Sequence, residues 1–211
     1  MVLSNRVVIS ISPPQSIPVT VTNTQSTSTQ AGLQVMVQLS ASSLQPYFKT
    51  LTPSIIASNF APLRFSYNGS PIPAWVESIN NDIATVWVKI PVSIPANSSL
   101  ELELDYSPKY NYDGQYWGIA PQLTEPYGEY DNGANVFNFY DNFAGAGLNT
   151  NKWAIYNSPV ITVDNGLTLN SGSSTVWEGI YTISKYNPQI LVNDFYAYFT
   201  NLTTSSYPVS T

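Results

Sequence analysis

The stretch from residue 63 to residue 106 constrains the fold most, because apolar and polar residues alternate along it in several short runs. Residues 84–90 alternate Ala, Val and Ile with Thr, Trp and Lys, and residues 100–106 alternate Leu with acidic residues before a closing Tyr. A period of two places successive side chains on opposite faces of a β-strand. No long stretch of the chain shows the 3.6-residue period of a helix, so the pattern predicts consecutive β-strands.

Turn signals separate the predicted strands. Asn68-Gly69 and Asn165-Gly166 are typical hairpin pairs, because both residue types tolerate a positive φ, and Asn80-Asn81-Asp82 predicts another turn. Strands recur about every 8–12 residues, which is typical of sandwiches and barrels. We therefore predict an all-β fold: an antiparallel β-sandwich of jelly-roll or immunoglobulin-like type.

The chain is long enough, at 211 residues, for two β modules. Residues 1–135 are predicted to form the β-sandwich domain, with a short helical turn within residues 40–58. Residues 108–133, rich in Tyr, Gly, Pro and Asn, are interpreted as a surface excursion that connects the modules. Residues 136–211 are predicted to form a second, smaller or incomplete β-sandwich. Its predicted strands are residues 153–156, 160–163, 167–169, 175–184 and 190–200.

The central stretch also carries a family resemblance. Its segments Pro-Ile-Pro-Ala-Trp-Val-Glu-Ser at residues 71–78 and Trp-Val-Lys-Ile-Pro at residues 87–91, followed by the strand that ends at Tyr106, resemble a family of domains of unknown function common in archaeal and bacterial surface proteins. Residues 135–153 continue the match, and in that family this segment leads into a concanavalin-like sandwich. The resemblance implies a β-sandwich and a surface location. The family has no established catalytic residues, so it implies no chemistry.

Residues 136–211 are shorter than a complete concanavalin-like sandwich. Three explanations stay open: a smaller sandwich, a sequence that stops early, or a neighbouring chain that supplies the missing strands. An unfinished sheet leaves an unpaired apolar edge, which is an association site. The apolar segment at residues 2–11 is a candidate donor strand for such pairing.

The charge content excludes some function classes. Only 9% of the residues are charged and the net charge is −6, whereas about 25% charged residues is typical of soluble domains. The basic residues are scattered, and nucleic-acid binding needs clustered Lys or Arg, so no nucleic-acid partner is predicted. No apolar run approaches the length of a membrane span. No secretory-signal pattern follows Met1, so we expect either a signal that was removed or a protein that never used one.

The chain has no Cys and no His, which excludes disulfides, thiolate metal sites and Ser-His-Asp or Cys-His catalysis. It also leaves few groups whose protonation changes on folding, so we expect the fold to tolerate acid. We predict no enzyme activity and no cofactor.

Three acidic residues on one predicted strand, Glu101, Glu103 and Asp105, are a candidate catalytic group. Their spacing puts all three on one face, and concanavalin-like glycoside hydrolases use two carboxylates as nucleophile and general acid. We favour the interpretation that they form the solvent face of a half-buried strand, because the intervening Leu residues suit a core.

Acidic residues in the loops are a candidate calcium site, because Ca²⁺ takes carboxylate and carbonyl oxygens. They are Glu125, Glu129, Asp131 and Asp141. Their spacing matches no EF-hand loop, so we favour solvated loop acids and predict no metal site.

Aromatic residues crowd the segment between the two predicted modules. Tyr and Trp supply large, rigid contact area with a polar tip, which suits binding surfaces and sugar platforms. A binding role predicts exposed rings, whereas the alternative, that they fill the gap between two sheets, predicts buried rings. The candidate surface contacts are Tyr110, Tyr112, Tyr116, Trp117, Tyr127 and Tyr130.

Three triplets fit the Asn-x-Ser/Thr acceptor pattern for N-glycosylation, at Asn68, Asn97 and Asn201. The first two lie in predicted turns, from which a glycan could project. All three are candidate glycosylation sites.

These features predict a non-catalytic function: an extracellular or virion-surface structural protein of an archaeal system, acting in assembly and adhesion as a capsid turret or spike or as a pilus-like filament subunit. The weakly charged composition, rich in Tyr, Asn, Ser and Thr, resembles surface proteins of archaea from hot acid and of their viruses. Expected partners are further copies of the chain, other coat or filament subunits, and a host-surface glycan or protein. A carbohydrate-binding module of a secreted protein is the alternative, and a glycoside hydrolase using residues 101–105 is the third hypothesis.

Overall fold

The computed structural model describes residues 15–48, 52–170, 176 and 178–185. The chain divides into two compact units, residues 1–147 with 162–168 and residues 148–161 with 169–211. The boundary predicted at residue 135 falls within the first unit. The predicted strands at residues 2–12 and 190–200, and with them the candidate donor segment, lie outside the described residues.

The described residues of the first unit form a β-sandwich of two four-stranded sheets, which confirms the predicted fold class. Its strands are β1 (Gln15–Asn23), β2 (Gln34–Ser40), β3 (Leu63–Tyr67), β4 (Ser70–Pro71), β5 (Ala74–Asn80), β6 (Ile83–Lys89), β7 (Ser98–Tyr106) and β8 (Trp117–Ile119). The first sheet has the order β1-β7-β3-β4 and the second has the order β2-β6-β5-β8. Neighbouring strands are antiparallel except β5 and β8, which pair in parallel.

Short helical segments connect these strands. They are α1 (Ala41–Leu44), α2 (Thr52–Ala57), a 3₁₀ turn (Pro121–Leu123) and α3 (Gly133–Val136). The first two confirm the helical turn predicted within residues 40–58. None of the helices in the described part of the chain has the length and apolarity to cross a membrane.

One core lies between the two sheets and follows the alternation in the sequence. On β6, Ala84, Val86 and Val88 are fully buried, whereas the residues between them are partly exposed. On β7, Leu102 and Leu104 are buried in the same cluster. Complete burial of a Val or Leu side chain contributes about 1.5–3 kcal/mol, so these inward rows fix which face of each strand turns outward.

Strand β8 corrects the interpretation of residues 108–133 as a surface excursion. Trp117 and Ile119 are fully buried, and β8 pairs along β5 as the last strand of the second sheet. Three consecutive buried residues show no alternation, and a parallel pair has no hairpin turn between its strands. The sequence around Trp117 therefore contains no strand pattern.

The described strands of the remaining chain are β9 (Trp153–Tyr156), β10 (Val160–Val163), β11 (Leu167–Asn170) and β12 (Gly179–Thr182). In the second unit, β9 and β12 form a two-stranded antiparallel sheet. Strands β10 and β11 pair around the predicted Asn165-Gly166 turn, and the division between the units crosses this hairpin. The concanavalin-like module is not confirmed by these strands.

Candidate functional site

The outer face of the first sheet carries charged side chains around a small pocket. In the β3–β7 register Arg64 lies opposite Asp105, and Ser66 lies opposite Glu103. Directly opposed residues on one face of an antiparallel pair have Cβ atoms about 4.5–5.5 Å apart, so these four side chains meet above the sheet. A pocket of about 210 Å³ opens beside them, lined by Arg64, Ser66, Gly69, Pro71, Asp105 and Tyr110.

Ser66 joins two carboxylates of the acidic strand. Its hydroxyl oxygen lies 2.6 Å from Asp105 Oδ2 and 3.1 Å from Glu103 Oε2. A hydroxyl group donates one hydrogen, so the two carboxylates share a single donor. They lie two residues apart on one strand, with the Ser66 hydroxyl between them.

Arg64 is fixed at the pocket wall from several sides. Its Nη1 lies 2.8 Å from Asp113 Oδ2, and its guanidinium carbon lies 4.7 Å from the centre of the Tyr110 ring. Its Nη2 donates a long hydrogen bond, 3.4 Å, to Asn111 O. The Nε is buried and has no hydrogen-bond partner among the described residues. One donor of this positioned guanidinium is therefore unused.

Asp113 is held in place by the turn that leads into β8. Its Oδ1 accepts hydrogen bonds from the backbone amides of Gln115 and Tyr116, both at 2.9 Å, and of Trp117 at 3.0 Å. Burial by itself raises the pKa of the Asp113 carboxyl, but these three amides and the Arg64 guanidinium outweigh it and hold that pKa below its ordinary value. The ionised carboxylate therefore anchors Arg64.

Two of the predicted contact residues, Tyr112 and Trp117, are core residues. They are 8% and 0% exposed. The Tyr112 hydroxyl donates to the Asn59 carbonyl, and the Trp117 indole donates to Phe60 O at 3.2 Å. Asn59 and Phe60 both have a positive φ, 51° and 65°, which is unfavourable for a bulky residue. The two rings stabilise that turn, and they lack the exposure that a contact surface requires.

The other four rings of the predicted contact surface are partly exposed. They are Tyr110, Tyr116, Tyr127 and Tyr130. Tyr110 lines the pocket on the first sheet, whereas Tyr127 donates its hydroxyl hydrogen to Asn142 O at 2.5 Å. These rings therefore have different surroundings, and their role in contacts with a partner stays a prediction.

Aromatic residues after β8 cover the outer face of the second sheet. Trp75 and Trp87 lie opposite each other in the β5–β6 register. Phe137 packs edge-on against both indoles, with ring centres 5.4 and 5.6 Å apart, and Tyr140 packs edge-on against Trp75 at 5.6 Å. Trp87 also donates its indole N–H to Glu77 Oε2 at 2.5 Å. The Trp and Glu residues of the recognised pattern therefore have a structural role.

Asp131 accepts the hydrogen bonds that hold the cover, which is the aromatic segment with Phe137 and Tyr140, against the second sheet. Its carboxylate accepts hydrogen bonds from Trp75 Nε1 at 2.8 Å, from the Tyr140 hydroxyl at 2.9 and 3.0 Å, from Asn142 Nδ2 at 2.6 Å and from the Gly133 amide at 3.0 Å. A carboxylate filled by protein donors has little capacity left for a cation. Among the described residues, the structure does not bring the other candidate calcium ligands, Glu125, Glu129 and Asp141, together with Asp131 into a group that could hold a metal ion.

Exposed large apolar side chains are concentrated in the second unit. In β9 and β12, Ile155 lies opposite Ile180 and Tyr181 lies opposite Ala154, so apolar side chains occur on both faces of this sheet. An isolated two-stranded sheet is at best marginally stable. The exposed large apolar residues of this unit, within the described part of the chain, are Ile155, Tyr156, Val160, Leu169, Val176, Tyr181 and Ile183.

The predicted glycosylation residues Asn68 and Asn97 are exposed in tight turns. Their φ angles are 49° and 51°, which Asn tolerates better than most residues. The third residue, Asn201, lies outside the described residues. Modification at all three stays a prediction.

Sequence reasoning missed Arg64 and Ser66. Both belong to the alternating strand that the sequence predicted, where outward polar residues are ordinary. A weak signal was present, because Arg64 is one of only two arginines in the chain. Its partners Tyr110 and Asp113 lie far away in sequence, and no local spacing connects them to it.

Comparison with known proteins gives a partial match. Residues 59–113 match the family described as Domain of unknown function (DUF2341), a segment that contains β3 to β7 and the groups around the pocket. The chain is also similar to "Uncharacterized protein 562" of Sulfolobus islandicus rod-shaped virus 1, with 32% identity over 145 residues. That match covers 66% of this chain and 24% of the viral protein, so the chain spans about a quarter of that relative's length. No solved structure matches. The comparisons support a domain of unknown function of archaeal-virus type.

Proposed function

We propose that this chain is a non-catalytic structural component on the surface of an archaeal virus particle, and that it associates with further copies of itself through its second unit. The exposed apolar side chains of β9 and β12 carry this proposal. Large exposed apolar patches mark association sites, and these side chains lie on the two faces of one small sheet. A second copy that covers both faces of this two-stranded sheet would supply the burial that the sheet lacks alone.

The viral relative supports a particle rather than a cellular filament. That relative belongs to a rod-shaped virus and is about four times as long as the part that matches, since the match covers 24% of it. A β-sandwich with an apolar core between two sheets suits a rigid building block. In the first unit, the aromatic residues after β8 cover the outer face of the second sheet. Association is therefore assigned to the second unit.

The acidic strand supports the non-catalytic part of the proposal. Glu103 and Asp105 share the Ser66 hydroxyl on one strand. Of the described residues, Asp105 is the only acidic one that lines the pocket beside them. The absence of His and Cys from the whole chain removes the commonest bases and nucleophiles.

Light scattering coupled to size-exclusion chromatography tests the association. We expect the purified full chain to form oligomers, and the double substitution Ile155→Ser with Tyr181→Ser to shift them to monomers. Met36→Ser with Tyr47→Ser is the matched control, since these first-unit side chains are 52% and 61% exposed, against 51% and 54% for the test pair. A monomeric wild-type chain at about 100 μM, or equal dissociation of the control, contradicts the assignment.

Immunogold electron microscopy tests the location. Antibodies raised against the first unit should label intact particles purified from infected cells. Labelling that appears only after the particles are disrupted would place the chain inside them. No labelling of intact or disrupted particles would contradict a location in the virus particle.

A further inference from the structure

We infer that the pocket on the outer face of the first sheet binds one neutral sugar ring through a pair of adjacent hydroxyl groups. The pocket lies between Arg64, Ser66 and Asp105, with Tyr110 as its aromatic wall. It belongs to the first unit, so the inference does not depend on association through the second unit.

The size of the pocket limits the ligand to a single ring. Its volume is about 210 Å³, which is below the roughly 300–1,000 Å³ of pockets that hold drug-sized ligands. A longer glycan could leave the pocket over its open rim, with one residue of the glycan inside.

The hydrogen-bonding capacity of the pocket wall suits hydroxyl groups. A carboxylate accepts about four hydrogen bonds. Within the described part of the chain, Asp105 and Glu103 share only the single hydrogen of Ser66. Asp105 lines the pocket and can accept a hydrogen from a ligand hydroxyl. The guanidinium of Arg64, which carries five N–H donors, lines the same pocket and can donate to a hydroxyl oxygen. Adjacent sugar hydroxyls both donate and accept, so they match a wall that offers both kinds of group.

The charge around the pocket favours a neutral ligand. Asp105 lies opposite Arg64 in the strand register, Glu103 lies two residues before Asp105 on the same strand face, and Asp113 forms an ion pair with Arg64. The surplus of negative charge disfavours a phosphate, a sulfate or an acidic sugar, because a like charge at short range is repelled. A neutral ring avoids that repulsion and can place its C–H groups against Tyr110.

The preorganisation of Arg64 makes the site more than a surface depression. The Tyr110 ring and the Asp113 carboxylate hold the guanidinium, and three backbone amides in turn hold Asp113. A side chain fixed before binding loses less conformational entropy when a ligand arrives. The three backbone amides therefore fix Asp113, and Asp113 in turn fixes Arg64 before a ligand binds.

Saturation-transfer NMR on the full chain tests this inference with the methyl α-glycosides of glucose, galactose and mannose as probes, and it works on assemblies as well as monomers. We expect transfer to at least one of them and none to glucuronate. Asp105→Asn should weaken binding about tenfold or more, because a charged acceptor is lost, and Tyr110→Ala should weaken it as well. Glu101→Gln is the matched control on the same strand face, and it should bind like the wild type.

Three outcomes overturn the inference: no transfer to any neutral glycoside, transfer to glucuronate as strong as to the hexosides, or equal weakening by Glu101→Gln and Asp105→Asn. Thermal unfolding of each variant establishes that a loss of binding comes from a folded chain. Chromatography of the same samples reports association independently, so either proposal can fail without the other.

Discussion

Trp75 donates its indole N–H to Asp131 Oδ1 across 2.8 Å, and the two residues are 56 positions apart in the chain. Trp75 faces outward on β5, where an aromatic ring would otherwise meet water. Asp131 begins the segment that covers it, so one bond attaches the cover to the sheet. The predicted strand with Trp75 and the loop with Asp131 appear as separate features in the sequence. In the structure this hydrogen bond joins them.

Replacing Asp131 should destabilise the first unit strongly. Asp131→Ala removes the acceptor of Trp75, Tyr140 and Asn142 together, and a part-buried donor without a partner costs about 1–3 kcal/mol. We expect a loss of about 3 kcal/mol in the free energy of unfolding, measured by denaturant titration with Trp fluorescence as the signal.

Asp164→Ala provides the control for that change, because Asp164 is an exposed acid in a turn. It should alter the free energy of unfolding by no more than about 0.5 kcal/mol. Equal losses for the two variants would show that Asp131 is not the centre of the cover.

An alanine at Gly118 should also destabilise the first unit, through steric overlap. A Cβ at this position would collide with the Asn132 carboxamide and would lie 2.8 Å from Tyr130 O. Asn132 cannot move away easily, because it is buried and donates to Ala74 O and Gln115 O, both at 3.1 Å. We expect Gly118→Ala to lower the free energy of unfolding by about 3 kcal/mol.

Gly147→Ala tests whether any added methyl group has this effect. No atom lies within 4 Å of its Cβ position, and this residue is exposed. The substitution should leave the melting temperature unchanged or raise it slightly, since Ala restricts the unfolded chain. A Gly118→Ala variant as stable as Gly147→Ala would mean that β8 is not packed as described.

The sandwich was predictable because its signals are local. The alternation of residues 84–90 and 100–106 assigns inward and outward faces, and burial of Val86 and Leu102 follows it. The Asn68-Gly69 turn between β3 and β4 depends on two neighbouring residues, whose φ angles of 49° and 73° only a few residue types tolerate.

The pocket and the cover were not predictable, because long-range contacts define them. Arg64 becomes a pocket residue only when Tyr110 and Asp113 return to the outer face of the first sheet. An aromatic residue such as Trp117 suits a binding surface as well as a core. Only the parallel pairing of β8 with β5 places it in the core. The alternation along a strand shows which side chains share a face. It contains no information on which distant segment of the chain packs over the outer face.

Alkaline pH should destabilise the chain through Tyr112. Burial raises the pKa of Tyr112 far above its ordinary value of 10.0, so the native ring stays protonated while the unfolded ring ionises. The stabilisation is therefore complete below about pH 10 and is lost as the pH rises above it. By pH 11 this one group should remove about 1.4 kcal/mol from the free energy of unfolding.

Tyr112→Phe isolates that contribution. The variant loses the hydrogen bond to the Asn59 carbonyl and should be less stable at pH 8, but its further loss between pH 8 and pH 11 should be smaller by about 1.4 kcal/mol. Tyr47→Phe, at a ring that is 61% exposed, should keep the full alkaline loss. Identical pH dependence in all three proteins would contradict burial of Tyr112.

Acid should leave the fold largely intact until the pH falls below about 4, with Asp113 setting part of that limit. The pKa of Asp113 is lowered from its ordinary value of 3.8, so its contribution to stability is present above that value and is lost as the pH falls through the native pKa. The chain has no His that would become charged at milder pH. Asp113→Asn should therefore melt at a lower temperature than the wild type at pH 7, and the difference should narrow as the pH falls below 3.8 and through the lowered native pKa. The exposed control Asp164→Asn should follow the wild type throughout. Differential scanning calorimetry from pH 7 to pH 2 measures both curves, and a gap between wild type and Asp113→Asn that stays constant over that range would show that the Arg64 ion pair and the three amide bonds do not stabilise the ionised carboxylate.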